Sequence, residues 1–244
     1  MSNLDTAQAY HDHVARLQRE IAGDEALMRA VGGDFIPAGK LEYCLLRALG
    51  LDDGAFVIDV GCGSGRLACQ LAARQGLRYL GTDVVASLLE CAQRLSRRPD
   101  WTFRLTDGAA IPSPDDTADW VCFFSVFTHL LHEDSYSYLA EARRVLKPGG
   151  RIVFSFLEFR IPYHWSVFED SVAQRKTRQH LNQFMDRDGI HAWAGHLGLE
   201  VEQIADGDKP HIPIPEEIRF DHGAVMKDFG NLGQSVAVLR KPSA

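Results

Sequence analysis

The first fifty residues show apolar positions with a helical period. Between Asp5 and Ile21, apolar side chains recur at spacings of three and four, which predicts an amphipathic helix with one apolar face. The pair Gly32–Gly33 and the segment Pro37–Gly39 predict breaks in the helical structure. A second helix is predicted from Lys40 to about Leu49.

From residue 56 onward, short apolar runs alternate with helical stretches. Short, wholly apolar strands separated by helices are typical of a parallel sheet buried on both faces, so the pattern predicts a doubly wound α/β fold. A tight turn is predicted at Lys147–Gly150. The predicted strands are Phe56–Val60, Tyr79–Thr82, Trp101–Leu105, Trp120–Ser125, Arg151–Phe156, Leu199–Ile204 and Ser235–Leu239, and the predicted helices are Arg66–Arg74, Ala86–Leu95, Ser135–Leu146 and Ile190–Leu197.

Length, charge and cysteine content limit the classes of function. The 244 residues suit one large domain or a core with a cap, and the net charge of −7 disfavours nucleic acid or an anionic membrane as a partner. No apolar run approaches the roughly 18 residues of a membrane span, and the first residues do not resemble a secretory signal. The five cysteines never occur in a Cys-x-x-Cys spacing, which predicts no metal site, no disulfide framework and a cytoplasmic location.

The most informative segment is the glycine-rich sequence from Val57 to Gly65. It leads from a buried strand into a turn and directly into a helix, whose first N–H groups can bind an anionic group. A nicotinamide-binding fingerprint would need its third glycine where Arg66 stands, so a nicotinamide oxidoreductase is disfavoured. Asp83 ends the second strand, about 20 residues on, where an acidic side chain can bind ribose hydroxyls.

This segment resembles motif I of the class I S-adenosylmethionine-dependent methyltransferases. Four further landmarks follow in the order of that family, and together they cover about residues 50–157. They are Gly81-Thr82-Asp83, Thr106-Asp107-Gly108, Asp119–Ser125 and Leu146–Gly150. The resemblance implies S-adenosylmethionine as cofactor and a Rossmann-like sheet of seven strands, mostly parallel with an antiparallel last strand, with helical lid and cap elements.

The resemblance also implies roles for individual residues. The backbone of Gly61, Cys62 and Gly63 would line the methionine part of the cofactor, and Gly65 would allow close helix packing. Asp59 would orient the loop or meet the ammonium group through water. The remaining expected contacts are Asp83 with both ribose hydroxyls, Val84 with the adenine face, Asp107 with the adenine amino group beside Gly108 and Ala109, and Ser125 with the methionine end and the substrate entrance.

Missing motifs exclude several classes of methyl acceptor. Enzymes that methylate nucleobase amino groups usually carry an Asn/Asp-Pro-Pro-aromatic motif after strand four, where this chain reads Phe124-Ser125-Val126-Phe127. Neither the paired glutamates of protein-arginine methyltransferases nor the carboxylate set of metal-dependent catechol enzymes is evident. A small molecule remains, plausibly a secondary metabolite, with O, N or C as the acceptor atom.

The residues outside the core predict a lid and two caps around the acceptor. Residues 1–39 form the expected N-terminal helical lid, and residues 40–244 form the methyltransferase domain. Its inserts are expected at about 158–189, which is rich in aromatic residues, and at 205–233, an ordered excursion rather than a helix. Aromatic side chains there would suit a flat or apolar acceptor, or would simply pack the insert onto the core.

Three residues are candidates for acid–base chemistry. His129 lies just beyond strand four, His164 lies in the aromatic insert, and Tyr10 lies on the N-terminal helix. Each also has a purely structural interpretation, because a base is required only if the acceptor must lose a proton. A non-catalytic S-adenosylmethionine-binding regulatory or partner module is the alternative function, and the sequence does not indicate an oligomeric state.

Overall fold

The computed structural model describes residues 6–32, 34–177 and 181–243. The first three helices precede the sheet, and the later helices alternate with its strands. The helices are α1 (Thr6–Glu20), α2 (Asp24–Ala30), α3 (Phe35–Ala48), α4 (Arg66–Leu71), α5 (Ala86–Ser96), α6 (His132–Val145), α7 (Pro162–Ala173) and α8 (Arg187–Leu197), with a 3₁₀ turn at Phe127–His129.

Seven strands form the central sheet in the order β3-β2-β1-β4-β5-β11-β6. Strands β1 to β5 pair in parallel, and β11 is antiparallel to both β5 and β6. The predicted seven-stranded, doubly wound sheet with an antiparallel last strand is therefore confirmed. The strands are β1 (Phe56–Val60), β2 (Arg78–Asp83), β3 (Thr102–Leu105), β4 (Ala118–Phe123), β5 (Leu146–Phe156), β6 (Glu200–Ala205) and β11 (Ser235–Arg240).

Both faces of the sheet are covered, which explains the continuous apolar runs in its strands. On one face, Val57, Trp120 and Val153 pack with residues of α3 and α4. On the other face, Ile58 and Phe154 pack with residues of α6 and α8. Alternate residues of one strand thus enter two separate apolar clusters, as the period of two in a strand requires.

The structure corrects two predicted boundaries. Pro37 and Gly39 lie inside α3, where a break was predicted. Pro37 is in the first helical turn, where its missing N–H would have had no partner in the helix. A side chain at Gly39 would lie 2.5 Å from the carbonyl oxygen of Arg66, so this glycine allows α3 to approach the start of α4.

The second correction concerns Lys147–Gly150, which was predicted as a turn before the strand. These residues belong to β5, with Gly149 at a φ of 82°. The N–H of Gly149 donates to the carbonyl of Lys241 at 2.8 Å, and the N–H of Lys241 donates to Gly150 at 2.9 Å. These hydrogen bonds to the residue after β11 therefore extend β5 to include the two glycines.

The segments outside the sheet pack around its carboxyl edge. Helices α1 and α2 contact α5 through Val14, Leu27 and Leu88. The excursion between β6 and β11 contains no helix among its residues, as expected, and forms two small antiparallel sheets. Their strands are β7 (Ile212–Pro213), β8 (Ile218–Arg219), β9 (Val225–Met226) and β10 (Phe229–Gly230).

Candidate functional site

A cavity of about 720 Å³ opens at the carboxyl edge of the central strands. Its walls come from the loops after β1, β2 and β4, the helices α1 to α3, and the segment before β11. Ligands of doubly wound sheets bind at this edge. Of the residues singled out from the sequence, those that line the cavity are Tyr10, Asp59, Gly61, Cys62, Gly63, Asp83, Val84, Ser125 and His129.

The glycine loop is fixed by close contacts on two sides. Gly61, Gly63 and Gly65 have φ values of 70°, 54° and 89°, in the left-handed region that favours glycine. A side chain at Gly61 would lie 2.5 Å from Val126, and one at Gly63 would lie 2.4 Å from Val31. The loop backbone thus lies directly against the turn after β4 and against α2.

Gly65 lies behind the loop rather than in the cavity wall. A side chain there would meet the backbone and the methyl group of Ala92 at 2.9 Å. This contact joins the start of α4 to α5, which is the close helix packing expected for Gly65.

Asp83 connects the glycine loop with the end of β2. Its Oδ2 accepts a hydrogen bond from the N–H of Gly63, and its Oδ1 accepts one from the N–H of Val85, both at 2.9 Å. Burial raises the pKa of this carboxyl to about 6, although these backbone donors oppose the rise. Each oxygen retains a second lone pair, so Asp83 can still accept from a ligand hydroxyl.

Asp59 was expected to orient the glycine loop, but its hydrogen-bond partner is Tyr79 of β2. The hydroxyl of Tyr79 donates to its Oδ2 at 2.7 Å, in a buried position under the cavity. Burial raises the pKa of Asp59 to about 7; the Tyr79 hydrogen bond opposes this rise. The nearby carboxylates of Glu42 and Asp83 contribute to the rise.

The raised pKa of Asp59 makes stability depend on pH. A carboxyl whose pKa is higher in the folded than in the unfolded state stabilises the protein fully below the unfolded pKa of about 4, and this contribution is lost as pH rises through about 7. When the pH is raised from 5 to 8, we expect Asp59→Asn, which keeps an acceptor for Tyr79, to gain about 2–3 kcal/mol of stability relative to the wild type. Urea unfolding at both pH values measures this difference, and the exposed Asp52→Asn serves as control. A parallel pH dependence of wild type and Asp59→Asn would contradict it.

Three of the expected adenine contacts, those after β3, lie outside the cavity lining, whereas Val84 is part of it. Thr106 lines the cavity, but Asp107, Gly108 and Ala109 are outside its lining. The carbonyl of Gly108 instead accepts a hydrogen bond from the hydroxyl of Tyr138 at 3.0 Å, and Tyr138 itself lines the cavity. The adenine-binding role of Asp107 therefore stays a prediction.

The three acid–base candidates occupy different environments. His129 lines the cavity, and its Nδ1 lies 2.8 Å from the carbonyl oxygen of Leu181. Because a carbonyl only accepts, the neutral ring carries its proton on Nδ1 and its basic nitrogen is Nε2. Tyr10 also lines the cavity and its hydroxyl donates to the carbonyl of Ala30 at 3.4 Å, while burial raises its pKa well above the ordinary value.

His164 occupies a structural position away from the cavity, and its catalytic role stays a prediction. The side chain is fully buried and lies outside the cavity lining. Its Nδ1 accepts from the N–H of Glu158 at 3.1 Å, and its Nε2 donates to the carbonyl of Gly233 at 2.9 Å. Both ring nitrogens are used to join the end of β5 to the segment before β11.

The aromatic insert contributes less to the cavity than its composition suggests. Tyr163 lines the cavity, whereas Trp165 and Phe168 pack with Phe159 and Phe184 outside it. Most aromatic side chains of the insert therefore pack on one another and do not line the cavity.

Two groups of cavity residues were not predicted as groups from the sequence, although Ser125 itself was named as a site residue. The first is an ion pair between Glu42 of α3 and Arg66 of α4, with the two side chains 3% and 13% exposed. The second is a hydrogen-bonded set of Ser125, Ser155 and Gln234. No local sequence pattern predicts either group, because the residues within each group are 24 to 109 positions apart in sequence.

The charges of the cavity wall are mainly acidic. Asp34, Glu42, Asp59 and Asp83 face Arg29 and Arg66, and Arg66 is already paired with Glu42. Such a wall favours a ligand that carries positive charge. Within the described ranges, no group of His, Cys, Asp or Glu has the arrangement of a metal site, and no helix is long and apolar enough to cross a membrane.

Comparisons with known proteins agree with this geometry. Residues 58–154 match a family model described as a methyltransferase domain. The demethylmenaquinone methyltransferase of Tropheryma whipplei is 37% identical over 108 residues, which are 44% of this chain and 44% of that protein. The 27-O-demethylrifamycin SV methyltransferase of Amycolatopsis mediterranei is 26% identical over 172 residues, which are 68% of this chain and 62% of that protein.

A solved structure supports the fold over a longer range. A methyltransferase of Methanosarcina mazei, described as dependent on S-adenosylmethionine, superimposes with a TM-score of 0.59 at 16% identity, covering 82% of this chain and 98% of that chain. The chain matches about half the length of the curated relatives named above. Residues 58–154 are thus similar to the methyltransferase domain family, and the fold is that of methyltransferases that use S-adenosylmethionine as cofactor.

Proposed function

We propose that the protein transfers a methyl group from S-adenosylmethionine to an O, N or C atom of a small molecule. The observation that carries this proposal is the single cavity that brings together the glycine loop, Asp83 and Ser125. A volume of about 720 Å³ is within the range of about 300–1,000 Å³ for small-molecule sites.

The residues of the cavity fit the cofactor. Gly61 and Gly63 line the cavity, Asp83 offers carboxylate lone pairs for ribose hydroxyls, and the acidic wall suits a cation. When bound, the cofactor supplies an electrophilic methyl group on a positively charged sulfur. The chain contributes by holding the two reactants in line and by excluding water from them.

The apolar part of the lining supports a flat or largely apolar acceptor. Phe124, Tyr163, Phe220 and Leu232 line the cavity beside the loops after β4 and before β11. A curated relative is named for a rifamycin substrate, which is consistent with a secondary metabolite as the acceptor. We include in the proposal that nucleic acid is not a partner and that the enzyme acts in the cytoplasm, where its five free cysteines remain reduced.

Residues 1–39 are proposed to form a lid over the cofactor. Tyr10 and His13 of α1 and Arg29 of α2 line the cavity, and the hydroxyl of Ser64 in the glycine loop donates to the carbonyl of Leu27 at 3.0 Å. The lid thus contacts both the ligand space and the loop. The insert at 205–233 contacts the chain beside the lid, because the N–H of Asp221 donates to Asp34 at 2.6 Å.

Calorimetry with S-adenosylmethionine, its demethylated product and NAD tests the cofactor assignment. We expect binding of the first two and no binding of NAD. Methyl transfer is then measured with isotope-labelled S-adenosylmethionine and a small-molecule extract of the source organism. Binding of the cofactor without labelling of any compound would favour the non-catalytic module instead.

His129 provides a test of base catalysis within this function. If Nε2 of His129 removes a proton from the acceptor, His129→Ala should reduce turnover by about 10²–10⁴-fold at saturating cofactor. The exposed His196→Ala is the matched control. Turnover equal to that of the control would show that His129 only lines the cavity.

A further inference from the structure

A closed set of hydrogen bonds joins the ends of three neighbouring strands at the floor of the cavity. Ser125 follows β4, Ser155 lies near the end of β5, and Gln234 directly precedes β11. Because β11 is antiparallel, its first residues lie at the same edge as the last residues of β4 and β5. All three side chains line the cavity.

The orientation of each group in this set is determined by the one before it. The backbone N–H of Ser125 donates to Oγ of Ser155 at 2.7 Å, so that hydroxyl must donate its own hydrogen elsewhere. It donates to Oε1 of Gln234 at 2.7 Å. The amide nitrogen of Gln234 then points to Oγ of Ser125, to which it donates at 3.2 Å.

Two donors of this set have no acceptor among the residues that the structure describes. One is the hydroxyl hydrogen of Ser125, and the other is the second N–H of Gln234. Both belong to atoms 3.2 Å apart, so one ligand atom with two lone pairs can accept from both. The hydroxyl of the buried Ser155 accepts from Ser125 and donates to Gln234, and so holds both residues in place.

The backbone at Ser125 indicates that this arrangement is specific. Ser125 has a φ of 59°, in the left-handed region that is unfavourable for a non-glycine residue. This conformation places its hydroxyl within hydrogen-bonding distance of Gln234, beside the glycine loop that Val126 contacts.

We propose that Ser125 and Gln234 bind a neutral oxygen of the methyl acceptor, of the carbonyl type, and that Ser155 is their positioning residue. An anionic oxygen is disfavoured, since the carboxylates of Asp34, Glu42, Asp59 and Asp83 line the same cavity. An ammonium group is also disfavoured at Gln234, because its available N–H group is only a donor. The inference rests on the proposed function and names the part of the acceptor that the cavity recognises.

The test compares acetophenone with ethylbenzene, two probes of similar shape that differ in the carbonyl oxygen. The protein, labelled with ¹⁵N in its glutamine side chains, is first saturated with the demethylated cofactor product. Acetophenone should shift the side-chain amide signal of Gln234 in a saturable manner, and ethylbenzene should not. The signal is assigned by its absence in Gln234→Glu.

Three variants separate recognition from general damage to the cavity. Gln234→Glu keeps the chain length and an acceptor for Ser155 but removes the N–H donors. It should weaken the binding of acetophenone, measured by calorimetry in all three variants, about fivefold or more. Ser125→Gly removes the hydroxyl at a φ that glycine adopts readily, and should have a similar effect. Ser155→Ala should broaden and displace the Gln234 amide signal. All three should bind ethylbenzene as the wild type does.

The outcomes distinguish this inference from the function on which it rests. Binding of the cofactor product together with an equal response to acetophenone and ethylbenzene, or no response to acetophenone, overturns the oxygen site and leaves the proposed function standing. Failure of the wild type to bind the cofactor product in calorimetry overturns both.

Discussion

Replacing Arg66 with methionine is expected to lower the free energy of unfolding by about 3–5 kcal/mol, since removing one partner leaves a buried charge unpaired. Glu42, which is 3% exposed, would lose its ion pair, and the carbonyl of Val31 would lose the hydrogen bond that it accepts from Arg66 at 3.2 Å. Urea unfolding followed by circular dichroism measures the change.

The loss of stability should grow with pH. Burial raises the pKa of Glu42 even when Arg66 opposes the shift, and the pKa rises further when Arg66 is removed. A raised carboxyl pKa contributes stability that is present below the unfolded pKa and is lost as pH increases, so Arg66→Met should be more damaging at pH 8 than at pH 5.

Two further variants test whether the unpaired charge of Glu42 causes the loss of stability in Arg66→Met. Adding Glu42→Gln to Arg66→Met should restore part of the stability, because no ionisable group then remains buried without a partner. Arg219→Met removes an arginine that is 72% exposed and paired with Glu217, and should change stability by about 0–1 kcal/mol. Equal effects of Arg66→Met and Arg219→Met would contradict the assignment.

Replacing Asp83 with alanine is expected to weaken the binding of S-adenosylmethionine by about 1–3 kcal/mol. The variant loses the acceptor for ribose hydroxyls and also the two hydrogen bonds that hold Gly63 and Val85. Calorimetry measures the affinity, and the exposed Asp52→Ala is the control. Unchanged affinity would remove Asp83 from the cofactor site.

The pH dependence of cofactor binding gives a second test of the contribution that Asp83 makes to affinity. Its pKa of about 6 means that the carboxylate becomes protonated as pH falls through this value. Since ribose hydroxyls donate more strongly to the ionised form, the affinity of the wild type should fall between pH 8 and pH 5. The affinity of Asp83→Ala should change less over the same range. A similar decline in both proteins would assign the pH effect to another group.

Several residues predicted for the cofactor site do line the cavity, because their features are local in sequence. The glycine loop, the aspartate that ends β2 and the turn after β4 each lie within a few residues of a buried strand. Parallel strands place their carboxyl ends at one edge, so local motifs are sufficient to bring these groups together. Asp107 shows the limit of this reasoning, since it follows β3 and yet lies outside the cavity lining.

The roles of the histidines depended on contacts that are distant in sequence. His129 and His164 looked equivalent as candidates, but only His129 lines the cavity. The partners of His164 are Glu158 and Gly233, and Gly233 is 69 residues away. No local pattern indicates that both ring nitrogens will be used in the core.

The sequence by itself determined the alternation of strands and helices and the glycine-rich loop, because strand periodicity and glycine spacing are short-range properties. The seven-stranded sheet with an antiparallel last strand followed from the family resemblance. Only the tertiary structure decided which polar residues share the cavity. Glu42 with Arg66, and Ser125 with Ser155 and Gln234, come from separate elements whose side chains meet when the sheet and its helices close. Their hydrogen bonds depend on distance in space, and the order of residues along the chain carries no record of that distance.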